Sequence, residues 1–344
     1  MTTTVGVVGA SGYAGAELMR ILHGHPEFDV VVATAASNSG ALLSTLHPGL
    51  TALGPITLQA TNAAALRGVD VVFIALPHGQ SAALTDQLEG VETVVDLGAD
   101  HRLASAGDWD HYYGGSSAAQ PWAYGLPELP GRSQQIAASA RVANPGCYAT
   151  ALQLAAAPLL SAGLVEPSDI VATAASGTSG AGRKASIASS ATEVMGSMSA
   201  YKVGGLHQHT AEVVQELSAV AGASVTLSFT PMLAPMPRGI LATTTMRLVD
   251  GVTESSVRDA LSDSYADSCF VHVLSDRQWP TTAATAGTNC AFLQAAVDER
   301  SGRVVVVSAI DNLGKGAAGQ AVQNANLMRG FDESLGLSVL GVSP

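Results

Sequence analysis

The sequence predicts an α/β protein: a Rossmann-type dinucleotide-binding domain plus an α+β domain with a mixed, mostly antiparallel sheet. First, an apolar strand at residues 5–8 runs into a glycine-rich turn at 9–15 and then into a helix, the opening of a dinucleotide-binding βαβ unit. Second, residues 69–76 are almost continuously apolar, as in parallel strands buried on both faces. Third, the Thr- and Val-rich segments 225–232 and 240–248 alternate loosely, which is typical of antiparallel strands.

The composition is that of a compact folded protein with room for two domains. The chain has 344 residues, of which 47% are hydrophobic and only 13% charged. A net charge of −12 argues against nucleic acid and anionic membranes as partners. The three cysteines form neither a disulfide framework nor a CxxC metal pair. From these cysteines we expect no metal site. With no signal-like start and no apolar run of about 18 residues, we expect a cytoplasmic protein.

The first glycine-rich turn has the spacing GxxGxxG, which lets backbone N–H groups approach a pyrophosphate at a helix start. The residues expected to bind a dinucleotide cofactor there are Gly9, Ser11, Gly12, Tyr13, Ala14 and Gly15. A tight packing turn without a ligand is the alternative. The second strand, residues 29–34, should end at the adenosine ribose, where NAD-dependent sites carry an acidic residue. Small polar residues follow it instead, including Ser37, so NADP(H) is the predicted cofactor.

Loops at the carboxyl ends of the next two strands should line the same ligand crevice. Pro77 and His78 end the strand at 69–76, and we expect them to contact the cofactor. Asp100 and Arg102 follow a strand at 93–97, and we expect Arg102 to bind substrate. Each of these polar side chains could instead be a solvated loop residue.

The most distinctive turn of the chain carries a cysteine. Cys147 follows a short strand at 140–143 and precedes a long apolar helix at 149–160. Pro145 and Gly146 end the strand, so Cys147 falls at or just inside the helix N-terminus. The helix dipole stabilises a thiolate there. A small buried hydrophobe is the alternative, but a turn of Asn, Pro and Gly favours a nucleophile.

A second glycine-rich loop at 176–184 carries hydroxyls and two adjacent cations, which suits a phosphate or carboxylate. Its expected anion-binding residues are Ser179, Gly180, Arg183 and Lys184, while Ser176, Gly177 and the later Asn312 are expected to contact the cofactor. Lysine occurs only at 184, 202 and 315, each time in a glycine-rich segment, which hints that these cations face anions. His207 and His209 lack a third metal ligand at suitable spacing. A proton-transfer role beside the Cys147 nucleophile explains an imidazole better than a metal site does.

These features predict the domain boundaries. Residues 1–146 and 312–344 should form the NADP-binding domain, because a small-residue helix that opens at about 311 is expected to return to it. Residues 147–311 should form the catalytic and oligomerisation domain, with its broad sheet as the oligomer interface.

A nicotinamide cofactor and a cysteine nucleophile together narrow the reaction class. Cysteine attacks an acyl group or an aldehyde, and hydride transfer links the resulting thioester to the thiohemiacetal. Histidine can take the thiol proton and later protonate the adduct. The basic residues of the second glycine-rich loop would hold an anionic substrate or a leaving phosphate.

Eight segments, in the right order and spread over essentially the whole chain, resemble the N-acetyl-gamma-glutamyl-phosphate reductase family of the short bacterial type. They are residues 9–15, 96–102, 124–129, 144–153, 176–184, 201–212, 229–243 and 311–323. The resemblance implies a semialdehyde-dehydrogenase-like fold. It also implies NADPH-dependent reduction of N-acetyl-5-glutamyl phosphate, in arginine biosynthesis, to the 5-semialdehyde and phosphate.

The same resemblance assigns roles to residues. Cys147 becomes the nucleophile and His209 the acid–base, with His207 second and Glu212 as the orienting carboxylate. Asn144, in the cysteine motif, is expected to bind substrate. The chain departs from the family at Gly98 and His101, where serine and phenylalanine are usual.

Several alternatives stay open at this point. A sister reductase acting on an aminoadipyl phosphate differs by one methylene, worth only ~1–3 kcal/mol in a pocket. Aspartate-semialdehyde dehydrogenase fits less well, because its cysteine turn lacks this Pro-Gly-Cys-Tyr context. A catalytically silent NADPH-sensing protein is another alternative, but it would not explain why Cys147 and His209 occur together. The expected partners are a small N-acetylated acyl phosphate, inorganic phosphate and further copies of the chain, as a dimer or tetramer.

Overall fold

The computed structural model describes residues 2–114 and 119–342. Within these ranges the α-helices are α1 (Tyr13–His23), α2 (Leu43–Leu46), α3 (Ala82–Thr85), α4 (Ala106–Tyr112), α5 (Arg132–Ala137), α6 (Cys147–Ser161), α7 (Ala191–Val194), α8 (His209–Ala221), α9 (Glu254–Ser264), α10 (Thr282–Thr285) and α11 (Gly319–Met328). The strands are β1 (Thr3–Val8), β2 (Phe28–Ala35), β3 (Gln59–Ala60), β4 (Val71–Ile74), β5 (Thr93–Asp96), β6 (Ala123–Tyr124), β7 (Arg141–Ala143), β8 (Ile170–Ser176), β9 (Ser199–Ala200), β10 (Leu227–Leu233), β11 (Ile240–Arg247), β12 (Val271–Val273), β13 (Ala291–Asp298) and β14 (Arg303–Ile310).

The chain forms two compact units. The first contains the described residues up to 127, then 131–145 and 317–337, and the second contains 128–130, 146–316 and 338–342. The predicted domain boundaries stay a prediction. Residues 312–316 and 338–342 belong to the second unit. The tail is held there by hydrogen bonds, such as the one that Asn289 N–H donates to the carbonyl of Ser338 at 2.9 Å.

The first unit contains a parallel sheet. Among its described residues, seven strands pair in the order β3-β2-β1-β4-β5-β7-β6, all of them parallel. The strand order reverses between β1 and β4, as in Rossmann folds, where ligands bind outside the carboxyl ends of the strands. The predicted Rossmann-type sheet is confirmed.

Apolar side chains cover both faces of this sheet. Val7 packs on one face with Leu18 of α1 and Val322 of α11. Val72 packs on the other face with Leu84 of α3. The continuous apolar runs of β1 and β4 therefore reflect strands buried on both sides, as the sequence predicts.

His25 fixes the segment that follows α11. Its Nδ1 accepts hydrogen bonds from the N–H groups of Glu27 (3.2 Å) and Phe28 (3.1 Å). Its Nε2 lies 3.0 Å from Asn326 Oδ1, and Asn326 Nδ2 is already donating to the carbonyls of Glu333 and Leu335. The ring is therefore neutral, with its proton on Nε2. Burial lowers the pKa of His25 from its usual 6.5.

This lowered pKa predicts a loss of stability on mild acidification. Because the folded pKa is below the unfolded one, the contribution of His25 is fully present above about pH 6.5 and is lost progressively as the pH falls below it. Urea unfolding of wild type between pH 7 and 5 should show a steeper decline in the free energy of unfolding than the His25→Gln variant. Equal slopes would contradict the assignment.

The second unit contains a mixed sheet with the order β12-β13-β14-β11-β8-β10-β9 among its described residues. The pairs β8/β10 and β12/β13 are parallel, and the other four are antiparallel, which confirms the predicted mostly antiparallel sheet. Helix α6 packs on β11 and β14, and Ser308 Oγ of β14 donates to the carbonyl of Ala151 at 3.0 Å. None of the helices in the two described ranges is long and apolar enough to span a membrane.

Two segments of the first unit contain only short elements. The segment at 80–88 forms α3, a single turn. The segment at 104–135 contains α4, β6 and α5, and Ser105 Oγ caps α4 by accepting from Asp108 N at 3.1 Å. Residues 115–118 of that segment lie outside the described ranges.

Candidate active site

Cys147 is the first residue of α6, as predicted, and its side chain is half-buried. Gly146 precedes it in an extended conformation and has no side chain to cap the helix. The helix closes on the Gly146 carbonyl, which accepts from Thr150 N at 2.9 Å and from Thr150 Oγ1 at 3.2 Å. The positive end of the helix dipole therefore lies at the thiol, where it favours the thiolate.

His209 lies against this turn. It is the first residue of α8 and is buried, and a Cβ placed on Gly146 would collide with its Nε2. Residue 146 must therefore be glycine, because a side chain there would displace the imidazole. His207 is also buried; its Nδ1 accepts from the N–H of His209 at 3.2 Å, and the two rings are 4.8 Å apart. The roles of His209 as the acid–base and of His207 as the second candidate stay predictions.

Glu212 tethers the cysteine turn to α8. It is 1% exposed, and its Oε1 accepts a hydrogen bond from the N–H of Gly146 at 2.7 Å. Gln153 of α6 adds a second link, donating from Nε2 to the carbonyl of Glu212 at 3.3 Å. The sequence predicted Glu212 as a carboxylate that orients the imidazole, and that role stays a prediction. The observed contact fixes the backbone before Cys147.

Two tyrosines next to these groups received no role from the sequence. Tyr201 OH donates to Tyr148 OH at 3.1 Å, and Tyr148 OH donates to the carbonyl of Met232 at 3.0 Å. Burial raises the pKa of Tyr148, and burial followed by the Cys147 charge raises the pKa of Tyr201 to about 12. Both phenols therefore stay protonated at neutral pH. The available sequence signal was the position of Tyr148 directly after the cysteine.

The second glycine-rich loop is interlocked with two other loops. Gly177 packs so closely on the backbone of Arg238 that a Cβ would lie 2.7 Å from the Arg238 nitrogen. Asn312 Oδ1 accepts from Gly239 N at 2.7 Å, and its Nδ2 donates to Ser179 Oγ at 2.9 Å. These contacts give Gly177, Ser179 and Asn312 a role in loop placement. Their predicted ligand contacts, and those of Ser176 and Gly180, stay predictions.

The cations of this region differ in burial. Arg183 and Lys184 are exposed after the turn Thr178–Ala181, and their predicted anion contacts stay predictions. Arg238, which the sequence did not single out, is bound by Asp311: Nε donates to Oδ1 at 3.1 Å and Nη2 lies 2.8 Å from Oδ2. Lys202 donates to Gln208 Oε1 at 2.6 Å rather than facing an anion.

In the first unit, the glycine-rich turn fits a dinucleotide. Gly9 has a positive φ of 81° and lies against the carbonyl of Ala75, and Gly15 lies against the carbonyl of Gly9, so neither position has room for a Cβ. Helix α1 begins at Tyr13 after Gly12, which contributes no side-chain cap. The first N–H groups of α1 are therefore suited to a pyrophosphate. The individual cofactor contacts, including those of Ser11 and Ala14, stay predictions.

The neighbouring strand ends also suit this ligand. β2 ends at Ala35, and the exposed Ser37 follows it without an acidic residue, which leaves room for a 2′-phosphate. After β4, the segment with Pro77 and His78 is held by Asp100, whose carboxylate accepts from Gly79 N at 2.6 Å, Ser81 N at 3.0 Å and Ala82 N at 3.1 Å. Asp100 therefore shapes the loop.

Arg102 and Asn144 support the chain before the cysteine turn. Both are buried, and Arg102 donates from Nε to the carbonyl of Asn144 and from Nη2 to that of Leu97, each at 2.7 Å. The Asn144 amide donates to the carbonyl of Ala317 at 3.1 Å and accepts from Asn324 Nδ2 at 3.0 Å. These bonds indicate a structural role, and the predicted substrate contacts of both residues stay predictions.

The two departures from the family pattern are accommodated locally. At Gly98, a Cβ would lie 2.9 Å from Asp96 Oδ1, and the carboxylate accepts from Gly98 N (2.8 Å) and Ser81 Oγ (2.7 Å). Burial raises the pKa of Asp96 despite these bonds. His101 stacks on Trp122 with ring centres 3.7 Å apart, so an aromatic ring is retained where phenylalanine is usual.

Within residues 2–114 and 119–342, no group of three or more His, Cys, Asp or Glu side chains is arranged to hold a metal ion.

Comparisons with known proteins agree with this arrangement. Residues 4–138 match the family model described as semialdehyde dehydrogenase, NAD binding domain, and residues 147–312 match semialdehyde dehydrogenase, dimerisation domain. Proteins named N-acetyl-gamma-glutamyl-phosphate reductase from Salinispora tropica, Acidothermus cellulolyticus and Streptomyces coelicolor are 58%, 56% and 53% identical, with all of both chains covered.

Solved structures show the fold. Aspartate semialdehyde dehydrogenase II from Vibrio cholerae, complexed with ASA, aligns with a TM-score of 0.71 at 15% identity, covering 96% of this chain and 98% of that one. The Candida albicans aspartate semialdehyde dehydrogenase with NADP gives 0.69 at 16% identity, covering 96% and 99%.

Proposed function

The chain belongs to the N-acetyl-gamma-glutamyl-phosphate reductase family, and from that premise we propose that it reduces N-acetyl-5-glutamyl phosphate with NADPH. The products are N-acetylglutamate 5-semialdehyde and phosphate, a step of arginine biosynthesis. The observation that carries the proposal is the position of Cys147 at the start of α6, with His209 Nε2 against the preceding glycine.

In the first step, Cys147 Sγ attacks the carbonyl carbon of the acyl phosphate. His209 Nε2 takes the thiol proton, the C–S bond forms, and the C–O bond to phosphate breaks with its electron pair on the leaving phosphate. Arg183 and Lys184 offset the charge of that anion. Glu212 accepts from the N–H of Gly146 and so fixes the backbone of the turn that carries the nucleophile.

The second step is reduction of the thioester. The glycine-rich turn at Gly9–Gly15 would hold the pyrophosphate of NADPH, which would supply the hydride. Backbone N–H groups at the start of α6 stabilise the oxyanion on the reduced carbon. The C–S bond then breaks, the thiolate of Cys147 recovers its proton from His209, and the aldehyde is released.

A coupled assay in the reverse direction tests the proposal. NADP should be reduced by N-acetylglutamate semialdehyde only when phosphate is present, and faster than by the unacetylated or the one-methylene-longer aldehyde. The names of the relatives support the shorter substrate. Preference for the longer aldehyde would indicate the aminoadipyl reductase, and no turnover with any aldehyde would indicate a binding protein.

We further propose that the chain self-associates through the outer face of the mixed sheet, within the region that matches a dimerisation domain. On that face Val171 of β8 pairs with Thr245 of β11, which pairs with Val305 of β14. Val171 is 40% exposed and Leu241 is 36% exposed, while the opposite face packs on α6. A partly apolar sheet face of this kind fits a second copy of itself.

Charges on this face should therefore separate the copies. Val171→Asp combined with Leu241→Asp should weaken self-association by at least about tenfold, because it would bury unpaired carboxylates at the interface. Light scattering behind size-exclusion chromatography measures the mass. Val31→Asp, at a 48%-exposed valine of the other sheet, is the control. An unchanged mass in the double variant would rule out this face.

A further inference from the structure

A buried ion pair lies in the second unit beside the cysteine turn. Lys315 Nζ is 2.5 Å from Glu128 Oε1, and the two side chains are 0% and 4% exposed. Lys315 Nζ also lies 5.4 Å from the centre of the Phe270 ring, within the range of a cation–π interaction. Lysine is almost never fully buried unless it is paired, because desolvating each charge is costly. Because both charges are buried, the pair does not contribute to solubility, and another role must explain its presence.

The charges of the pair act on their neighbours. Burial, followed by the Glu128 charge, raises the pKa of Tyr265, whose hydroxyl donates to the carbonyl of Leu154 at 2.7 Å. Burial raises the pKa of the Cys290 thiol, and Lys315 opposes that rise. Tyr265 and Cys290 are therefore neutral at pH 7, and the ion pair is the charged centre of this part of the core.

The backbone next to Lys315 contacts the nucleophile. A Cβ placed on Gly316 would lie 2.8 Å from Cys147 Cβ and 3.3 Å from Cys147 Cα, so the two residues are in van der Waals contact. On the other side of Lys315, Gly314 lies against the carbonyl of Thr288 so closely that no Cβ fits. Because residues 314 and 316 are glycines, Lys315 is the residue of the stretch 314–316 whose side chain can anchor that stretch.

The stretch belongs to the π-turn Gly314–Ala318, a wide turn that is often found at functional sites. Asp311 fixes its beginning: Oδ1 accepts from Leu313 N at 2.9 Å and from Gly314 N at 3.2 Å. The Gly316 N–H donates to the carbonyl of Asp311 at 2.9 Å. The Lys315–Glu128 pair fixes the middle of the turn, at the residue before the one that touches Cys147.

We propose that the Lys315–Glu128 ion pair positions the Cys147 nucleophile. It holds the π-turn so that Gly316 closes one side of the cysteine and limits the directions available to its Sγ. The pair has no net charge, so its effect on Cys147 is one of geometry. The proposal rests on Cys147 being the nucleophile, but the placement of the thiol can be measured without turnover.

The test removes both charges at once. Lys315→Met combined with Glu128→Gln replaces the pair by neutral side chains of similar size and leaves no unpaired buried charge. The rate of Cys147 alkylation by iodoacetamide, resolved by peptide mass spectrometry from Cys269 and Cys290, should differ severalfold from wild type, with a displaced pH profile. The kcat of the reductase should fall about tenfold or more while the KM for NADPH stays near wild type.

Arg303→Met is the matched control. Arg303 begins the same strand β14 that leads to the π-turn, and its Nη1 pairs with Asp169 Oδ2 at 2.7 Å at the far end of the strand. Its loss should leave Cys147 alkylation unchanged. A double variant with wild-type alkylation and kcat would overturn the proposal and make the pair a stabilising contact only.

Lys315→Arg decides the question if the double variant does not fold. It keeps the charge on a longer, planar group, so it should shift the turn and alter the Cys147 alkylation rate. An unchanged rate would overturn the proposal. If the wild-type protein lacks reductase activity, the proposed function fails, while the alkylation data still test the positioning.

Discussion

Replacing Cys147 by alanine should lower kcat for acyl-phosphate reduction by a factor on the order of 10⁴ or more. The thioester requires a nucleophile at the start of α6, and no other cysteine can supply it, because Cys269 is exposed elsewhere and Cys290 is buried. NADPH affinity, measured by fluorescence titration, should stay near wild type, since the glycine-rich turn at Gly9–Gly15 belongs to the other unit.

A single-turnover experiment sharpens this prediction. Wild-type protein mixed with acyl phosphate and no NADPH should release a burst of phosphate equal to the number of active sites, and the Cys147→Ala variant should release none. Cys269→Ala is the control and should behave as wild type. Substantial residual reduction by Cys147→Ala would contradict the covalent mechanism.

His209→Gln should lower kcat by about 10²–10⁴-fold, the usual contribution of a positioned acid–base. Glutamine has a similar length but does not exchange a proton near neutral pH, so the variant should also lose the acid limb of the kcat/KM profile. Steady-state kinetics between pH 5 and 9 measure both effects.

His207→Gln is the matched comparison. Because His207 Nδ1 accepts from the N–H of His209, its replacement should loosen the acid–base group and reduce kcat by a smaller factor, with the acid limb retained. The opposite order of effects, with the acid limb lost only in His207→Gln, would make His207 the proton-transfer group.

Lys315 shows what local pattern misses. Its glycine-rich surroundings suggested a cation that faces a bound anion, since the same pattern holds for Arg183 and Lys184. The anion that it faces is Glu128, 187 positions earlier in the chain, and the two form a buried pair instead of a ligand site. Glycine on both sides of Lys315 reflects close packing on Thr288 and Cys147.

The sequence by itself determined the local backbone features, which depend on residues that are adjacent in the chain. The glycine spacing at 9–15, the apolar runs of β1 and β4 and the Pro-Gly-Cys turn each constrain the backbone locally, so they predicted the Rossmann sheet and the helix that begins at Cys147. The motifs also predicted the family, which the relatives confirm.

Tertiary structure alone decided which groups meet. The Glu212 carboxylate holds Gly146, 66 positions away, and Asn144 bonds to Asn324, 180 positions away. His209 Nε2 likewise lies against Gly146, a contact that the motifs alone do not reveal. Hydrogen bonds and ion pairs act over about 3 Å, so a pairing between distant residues becomes visible only once the chain has brought them together.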